Sequence, residues 1–252
     1  MYFETDAIVI KATKTLTNDI FLTLLSRKAG KIEVVANGAK SSKSQLSAVS
    51  KPFVYGNFIL NTQSKIMRIT SCDIFDSHFR ITDHIETLAY GNYFLELCNL
   101  ITVPNVVDFD HYQLIVEIVD QLSHKTEQAP PNLTLLQLTY LIKLSAITGH
   151  SPNLDHHCAN CSSEVDTIYF SVELGGLICK KCGEFNRQVV KLSDQTINLI
   201  QYLMKKDVRI IMKTKIHENY VSMLYMIFED YILHHNGIKE IKSIDFIKSI
   251  LL

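Results

Sequence analysis

With 252 residues, 47% of them hydrophobic and 20% charged, the chain can bury a sizeable core, which excludes global disorder. Its net charge of −1 excludes no polyanionic partner, because the charge is unevenly spread: residues 1–80 carry 11 Lys and Arg against 6 Asp and Glu, residues 81–157 carry 2 against 9, and residues 158–252 carry 12 against 11. No apolar stretch approaches the ~20 residues of a membrane span, and Met1-Tyr2-Phe3-Glu4 lacks the basic and then apolar pattern of a secretory leader, so the chain is expected in the cytoplasm.

Residues 1–75 read as β-structure. Ala7–Ile10, Ile20–Leu25, Ile32–Ala36, Phe53–Leu60 and Ile66–Ile69 are short β-branched or aromatic runs separated by polar or Gly-containing turns, with Ala29-Gly30 the clearest hairpin turn. Five short strands in a basic module fit a small closed barrel such as the OB-fold, although another small barrel gives the same count. Between the third and fourth runs lies the small, polar, basic segment 37–44. It fits an ordinary flexible loop as well as a loop whose Lys side chains and Gly/Ser amides contact phosphates.

Residues 81–149 read as helical. From Ile85 the apolar residues are too dense for a one-sided stripe, which predicts a deeply buried helix. A second helix follows the break at Pro104, with Leu114, Ile115, Ile118, Val119 and Leu122 on one face. A third begins after the breaker Ala129–Asn132, capped by Asn132 and ended by Gly149. Three further helices are predicted near the C-terminus: one capped by Ser193, one over 218–233 and one over 243–252. Lys205, Lys206, Arg209, Lys213, Lys215 and His217 read as a solvated helix end, with a second nucleic-acid contact as the alternative.

The motif that carries chemistry is a pair of Cys-x-x-Cys turns, Cys158/Cys161 and Cys179/Cys182, 17 residues apart. Each turn can present two thiolates to one metal, and two turns complete a tetrahedron. The separation fits a four-cysteine zinc site, with an iron–sulfur cluster as the rival. The intervening Ile168–Ser171 and Gly175–Ile178 read as two strands of a zinc ribbon. One structural Zn2+ is expected there, because four protein ligands leave no position for a reacting water. His156 and His157 read as surface residues, and Cys72 and Cys98 as lone core cysteines. P-loop, zinc-protease, zinc-deaminase and nucleophile-elbow patterns are absent, so no catalytic residue is expected. Asp108, Asp110, Glu117 and Asp120 are the carboxylates an enzyme reading would use; they look like a solvent face.

Three stretches in this order resemble the RecO family of bacterial recombination mediators. They are Ala7–Lys11 with Leu22–Lys31; Gly38–Leu46 followed by Pro52-Phe53; and Leu144–Asp155 leading into the cysteine ribbon with Phe170-Ser171 and Gly175-Gly176. The chain departs from the family pattern at Asn37, where a basic residue is usual, and across Lys14–Asp19, where an acidic, Gly-containing turn is usual. The resemblance implies an α+β chain. Residues 1–80 would form an OB-fold DNA-binding domain, and residues 81–252 a helical bundle with a zinc ribbon inserted at about 155–185. It implies binding to single- and double-stranded DNA, annealing of complementary strands, and action with RecR on DNA coated by SSB to help load RecA, in the bacterial cytoplasm at the nucleoid. The DNA-contact residues expected on this basis are Lys11, Arg27, Lys31, Lys40 and Lys43, with Phe53 and Tyr55 as stacking or core residues. The competing expectation is a zinc-ribbon adaptor that binds protein or RNA and does not anneal.

Overall fold

The computed structural model describes residues 1–124, 132–165, 168–185 and 189–251. Part of the Ala129–Asn132 breaker and the helix end at Leu252 lie outside them. The chain divides into two compact units, Met1–Pro130 with Ile241–Leu252, and Pro131–Glu240.

The first unit is built on strands β1 (Tyr2–Lys14), β2 (Ile20–Ser26), β3 (Gly30–Ala36), β4 (Tyr55–Asn61) and β5 (Met67–Asp76), with a single turn of helix, α1 (Leu46–Val49), between β3 and β4. They close into a barrel in the order β1-β2-β3-β5-β4. β1 pairs antiparallel with both β2 and β4, and the parallel pair Val34–Met67 and Val35–Arg68 joins β3 to β5. Alternation explains the closure: along β4 every second residue is buried, and Leu22, Leu24, Val34, Phe58 and Leu60 fill the interior. A register shift between Val9 and Lys11 interrupts the β1–β2 ladder. β1 and β5 run beyond the apolar runs that mark them in sequence, because their ends are held by neighbouring strands.

A 3-10 turn (Phe79–Asp83) leads into α2 (Ile85–Ile101), which buries most of its circumference, including Tyr93, Phe94, Leu97 and Cys98. Gly91 lets it approach the barrel: a Cβ there would meet the Phe53 ring at 2.9 Å. Phe53, with a left-handed φ of 73° and 3% exposure, is therefore a core residue rather than a stacking platform. α3 (Phe109–Ser123) shows the expected apolar stripe and is capped by Asp108, whose carboxylate accepts from His111 N–H at 2.9 Å.

In the second unit α4 (Leu133–Ile147) is buried on nearly every side. The Asn132 side chain caps it by accepting from Leu135 N–H, and Gly149 follows in the left-handed region that ends helices. Around it pack α6 (Asp194–Lys205), α7 (Val208–Ile211) and α8 (Glu218–His235). The ribbon between α4 and α6 comprises β6 (Tyr169–Ser171), β7 (Gly176–Ile178), α5 (Lys180–Phe185) and β8 (Val189–Lys191), with the antiparallel order β7-β6-β8. Phe170 on β6 is fully buried against Phe228 and Tyr231 of α8, with ring centroids 6.2 and 5.9 Å away, which fastens the ribbon to the helices. The last helix, α9 (Ser243–Leu251), belongs to the first unit and packs on α2. No helix among the described residues is long and apolar enough to cross a membrane.

Candidate metal centre and nucleic-acid interface

Backbone geometry sets both cysteine turns. Cys158 N–H donates to Ser163 O and Ser162 N–H to Cys158 O, both at 2.8 Å, and Ser162 takes a positive φ of 59°, so the chain folds back to aim Cys161 at Cys158. β7 delivers Cys179, and the first turn of α5 returns Cys182 beside it, with Gly183 N–H donating to Cys179 O at 2.9 Å. The two turns are tied together by Ala159 N–H on Leu177 O at 2.8 Å.

The four sulfurs lie within 4.8 Å of one another, and Cys161 and Cys179 are 3.7 Å apart. A tetrahedral metal with sulfur ligands at about 2.3 Å has sulfur–sulfur edges of about 3.8 Å, so the cluster can hold a metal ion with little movement. His156 and His157 are exposed and stand outside the cluster. Protonation is uneven. Ser163 Oγ, 3.0 Å from Cys161 Sγ, holds that thiol below its ordinary value, and the backbone N–H of Cys182 does the same for Cys179. Burial opposes ionisation of Cys158, but backbone N–H groups of Cys179, Cys161 and Asn160 outweigh it and lower that thiol too. Asn160 Nδ2 donates to Cys182 Sγ at 3.4 Å and favours its thiolate, yet crowding by the other three sulfurs pushes it up to about 11. Four thiolates this close need a cation. Cys72 and Cys98 lie elsewhere; burial pushes both up to about 12 and leaves them inert.

The basic residues of the barrel do not form one patch. Lys11 is exposed and, with Lys31 and Lys65, lines a concavity of about 490 Å3 that also contains Glu33. Lys31 is half-buried, with its Nζ donating to Asn99 O at 2.6 Å, and burial lowers its pKa. Arg27 lies 3.7 Å from the Asp6 carboxylate and 5.3 Å from the Phe109 ring centroid, so two partners already engage it. Lys40 donates to Thr15 O and lines a second concavity with Lys14 and Lys51; Lys43 is exposed on the 37–44 loop. The sequence reasoning missed Lys14, Lys51 and Lys65, which only the barrel closure brings beside the others. Tyr55 is half-buried against Phe75, with ring centroids 5.2 Å apart.

A closed barrel with outward lysines, in a chain whose helical unit carries a ribbon of four thiols that could hold a metal ion, defines the class of protein. Comparison with known families makes this specific. The family described as Recombination protein O N terminal matches residues 1–78, and that described as Recombination protein O C terminal matches residues 83–244. The chain belongs to the RecO family, a family of DNA repair and recombination proteins. Its relatives include the DNA repair protein RecO of Acetivibrio thermocellus, 27% identical over 250 residues, covering 99% of this chain and 97% of the relative. That of Bacillus subtilis is 28% identical over 238 residues, covering 94% and 91%. That of Bacillus velezensis is 31% identical over 201 residues, covering 80% and 76%.

Proposed function

We propose that the protein is a DNA-binding recombination mediator. It anneals complementary single strands and, with RecR, helps load RecA onto SSB-coated single-stranded DNA in the bacterial cytoplasm, at the nucleoid. The observation that carries this is the joint match of both family regions over residues 1–78 and 83–244. Supporting it, residues 1–80 read as an OB-fold DNA-binding domain: the order β1-β2-β3-β5-β4, with β1 returning to β4, suits that fold. The remainder, residues 81–252, is assigned as the helical part that bears the ribbon, with α2, α3 and α9 belonging to the compact unit built on the barrel.

Sequence-neutral binding needs a positive surface that tracks phosphates, and the residues assigned to it are Lys11, Arg27, Lys31, Lys40 and Lys43. Lys11 and Lys43 have the exposure for direct phosphate contact. Lys31, Lys40 and Arg27 are partly committed to protein groups and add charge to the surface. One Zn2+ held by Cys158, Cys161, Cys179 and Cys182 serves as a structural ion, since borderline-soft Zn2+ suits thiolates and four of them complete its tetrahedron. Zinc supplies a fixed charge that lets all four thiols ionise; the chain's own residues do the rest, joining the ribbon to α8 through Phe170.

The test is strand annealing of SSB-coated complementary oligonucleotides by the metal-analysed protein across a salt series. Annealing with about one zinc per chain, weakening as salt rises, is expected. Binding to RNA as tight as to DNA, or zinc-loaded protein that neither binds DNA at low salt nor anneals, would replace this function with that of a zinc-ribbon adaptor.

A further inference from the structure

We propose that the concavity behind the 37–44 loop is a phosphate seat formed by Lys14, Lys40, Lys51, Ser47 and Ser50. It has a volume of about 600 Å3 and lies wholly within the first unit. Three separate pieces of chain deliver its cations: Lys14 from the end of β1, Lys40 from the loop after β3, and Lys51 from the turn after α1. Three like charges around one concavity repel one another. Among the described residues none of the three is within ion-pair distance of a carboxylate. The acidic neighbour in sequence, Asp19, is held by other donors, accepting from Gly38 N–H at 2.8 Å and from Thr17 Oγ1 at 3.2 Å, and forms no ion pair with these lysines.

A second observation points to a ligand. Ser50 lines the same concavity at 4% exposure, and its Oγ is buried without any hydrogen-bond partner. A native fold seldom leaves such a hydroxyl unsatisfied, and rotation about χ1 can turn it toward a bound oxygen. Lys40 is held in place because its Nζ donates to Thr15 O, which leaves two of its three ammonium hydrogens for another acceptor. Lysines and serines lining one concavity with no carboxylate within ion-pair distance of the lysines suit a tetrahedral oxyanion, and lysine binds phosphate as a point charge without demanding a planar partner. Ile20 and Ala39 give the seat an apolar wall, which reduces screening.

The phosphate comes from a DNA strand, and for that source the inference rests on the proposed DNA binding; the seat itself does not. The experiment uses the full-length, zinc-loaded chain, isotope-labelled, with inorganic phosphate as the probe, alongside salt-dependent binding of a single-stranded oligonucleotide. Phosphate is expected to shift the amide signals of Ser47, Ser50 and Lys51, and a Lys14→Gln, Lys51→Gln double variant should lose those shifts. Losing the one phosphate neutralisation made at the seat should make the slope of log affinity against log salt shallower by about 0.7 for a single strand. Ser50→Ala should weaken phosphate binding while leaving melting unchanged or slightly higher, because it removes an unpartnered hydroxyl; a merely structural Ser50 would lower melting and leave phosphate binding alone. Shifts at the seat with an unchanged slope would support the seat with free phosphate as its source. Absent shifts and an unchanged slope, in a protein that still binds DNA, would overturn the seat and leave the proposed function standing. Shifts at the seat in a protein that binds no DNA would support the seat and overturn that function.

Discussion

The sulfur atoms of Cys161 and Cys179 lie 3.7 Å apart across a sequence separation of 18 residues. Nothing covalent joins them, and both thiols are held below their ordinary values by hydrogen bonds to the ionised form. The ribbon sheet that brings them together has three-residue strands, too short to stand alone. Metal binding is therefore expected to hold the ribbon. Because Phe170 packs on Phe228 and Tyr231, loss of the metal should also loosen α8. A Cys179→Ser, Cys182→Ser double variant should lose its zinc and melt at lower temperature, since structural zinc contributes ~10 kcal/mol or more in zinc-finger peptides. Metal analysis and thermal unfolding decide it; a zinc-free variant with an unchanged melting curve would show that the ribbon does not support the helices.

His111 gives a pH dependence. It is fully buried, its Nδ1 is 3.3 Å from Thr102 Oγ1, and that hydroxyl already donates to Cys98 O at 2.7 Å, so Nδ1–H is the donor of the pair. Burial lowers the His111 pKa to about 4 against an ordinary 6.5, with the nearby Asp108 charge only partly offsetting it. Between these values the unfolded chain binds a proton that the folded chain refuses. The folded state is thus fully favoured above pH 6.5 and loses stability as pH falls towards 4, by on the order of 3 kcal/mol. Denaturant unfolding of the wild type and of His111→Gln across that window checks this: the wild type should lose stability more steeply, and parallel curves would count against it.

Lysines of the same barrel should behave differently on removal. Lys31 donates to Asn99 O from a half-buried position, whereas no side-chain hydrogen bond or ion pair of Lys43 occurs among the described residues. Lys31→Ala should lower stability by about 1 kcal/mol or more as well as weaken DNA binding. Lys43→Ala should leave melting within error and weaken binding alike across sequences, as phosphate contacts do. Melting curves paired with oligonucleotide titrations separate the two, and a destabilised Lys43→Ala protein would contradict the assignment.

What could be read in the sequence was local. The five strands, the caps Asn132 and Ser193, and the two cysteine turns each depend on residues within a few positions of one another. What could not be read depends on distant partners. β8 is three residues long and exists because β6 offers it an edge. The start of α9 is capped by Glu96, whose carboxylate accepts from Lys242 N–H and Ser243 N–H at 3.0 and 2.8 Å across about 147 residues. α1 and α7 have four residues each, below the length at which apolar periodicity is visible. The basic surface was only half legible for the same reason: lysine-rich segments can be seen, but which lysines share a concavity is decided by the register of the closed barrel.

Gly30 and Gly38 test how tightly that barrel fixes its basic surface. Both adopt a left-handed backbone, with φ of 67° and 65°. They differ in what lies beyond the missing side chain: a Cβ on Gly30 would fall 1.9 Å from Val106 O, whereas one on Gly38 meets nothing within 4 Å. The Val106 segment is stitched to the start of β3, with Asn105 N–H donating to Lys31 O at 2.9 Å and Lys31 bridging to Pro104. Gly38→Ala should therefore cost only the backbone term, roughly 1–2 kcal/mol. Gly30→Ala cannot relax by moving a side chain; it must push the 104–106 backbone away and should cost about 3 kcal/mol or more. The displaced segment lines the concavity that holds Lys11 and Lys31, so Gly30→Ala should also disturb DNA binding more than its stability loss explains, when the two variants are compared under conditions where both stay folded. Equal denaturation midpoints for the two variants would mean that the 104–106 segment yields easily and does not set the position of Lys31.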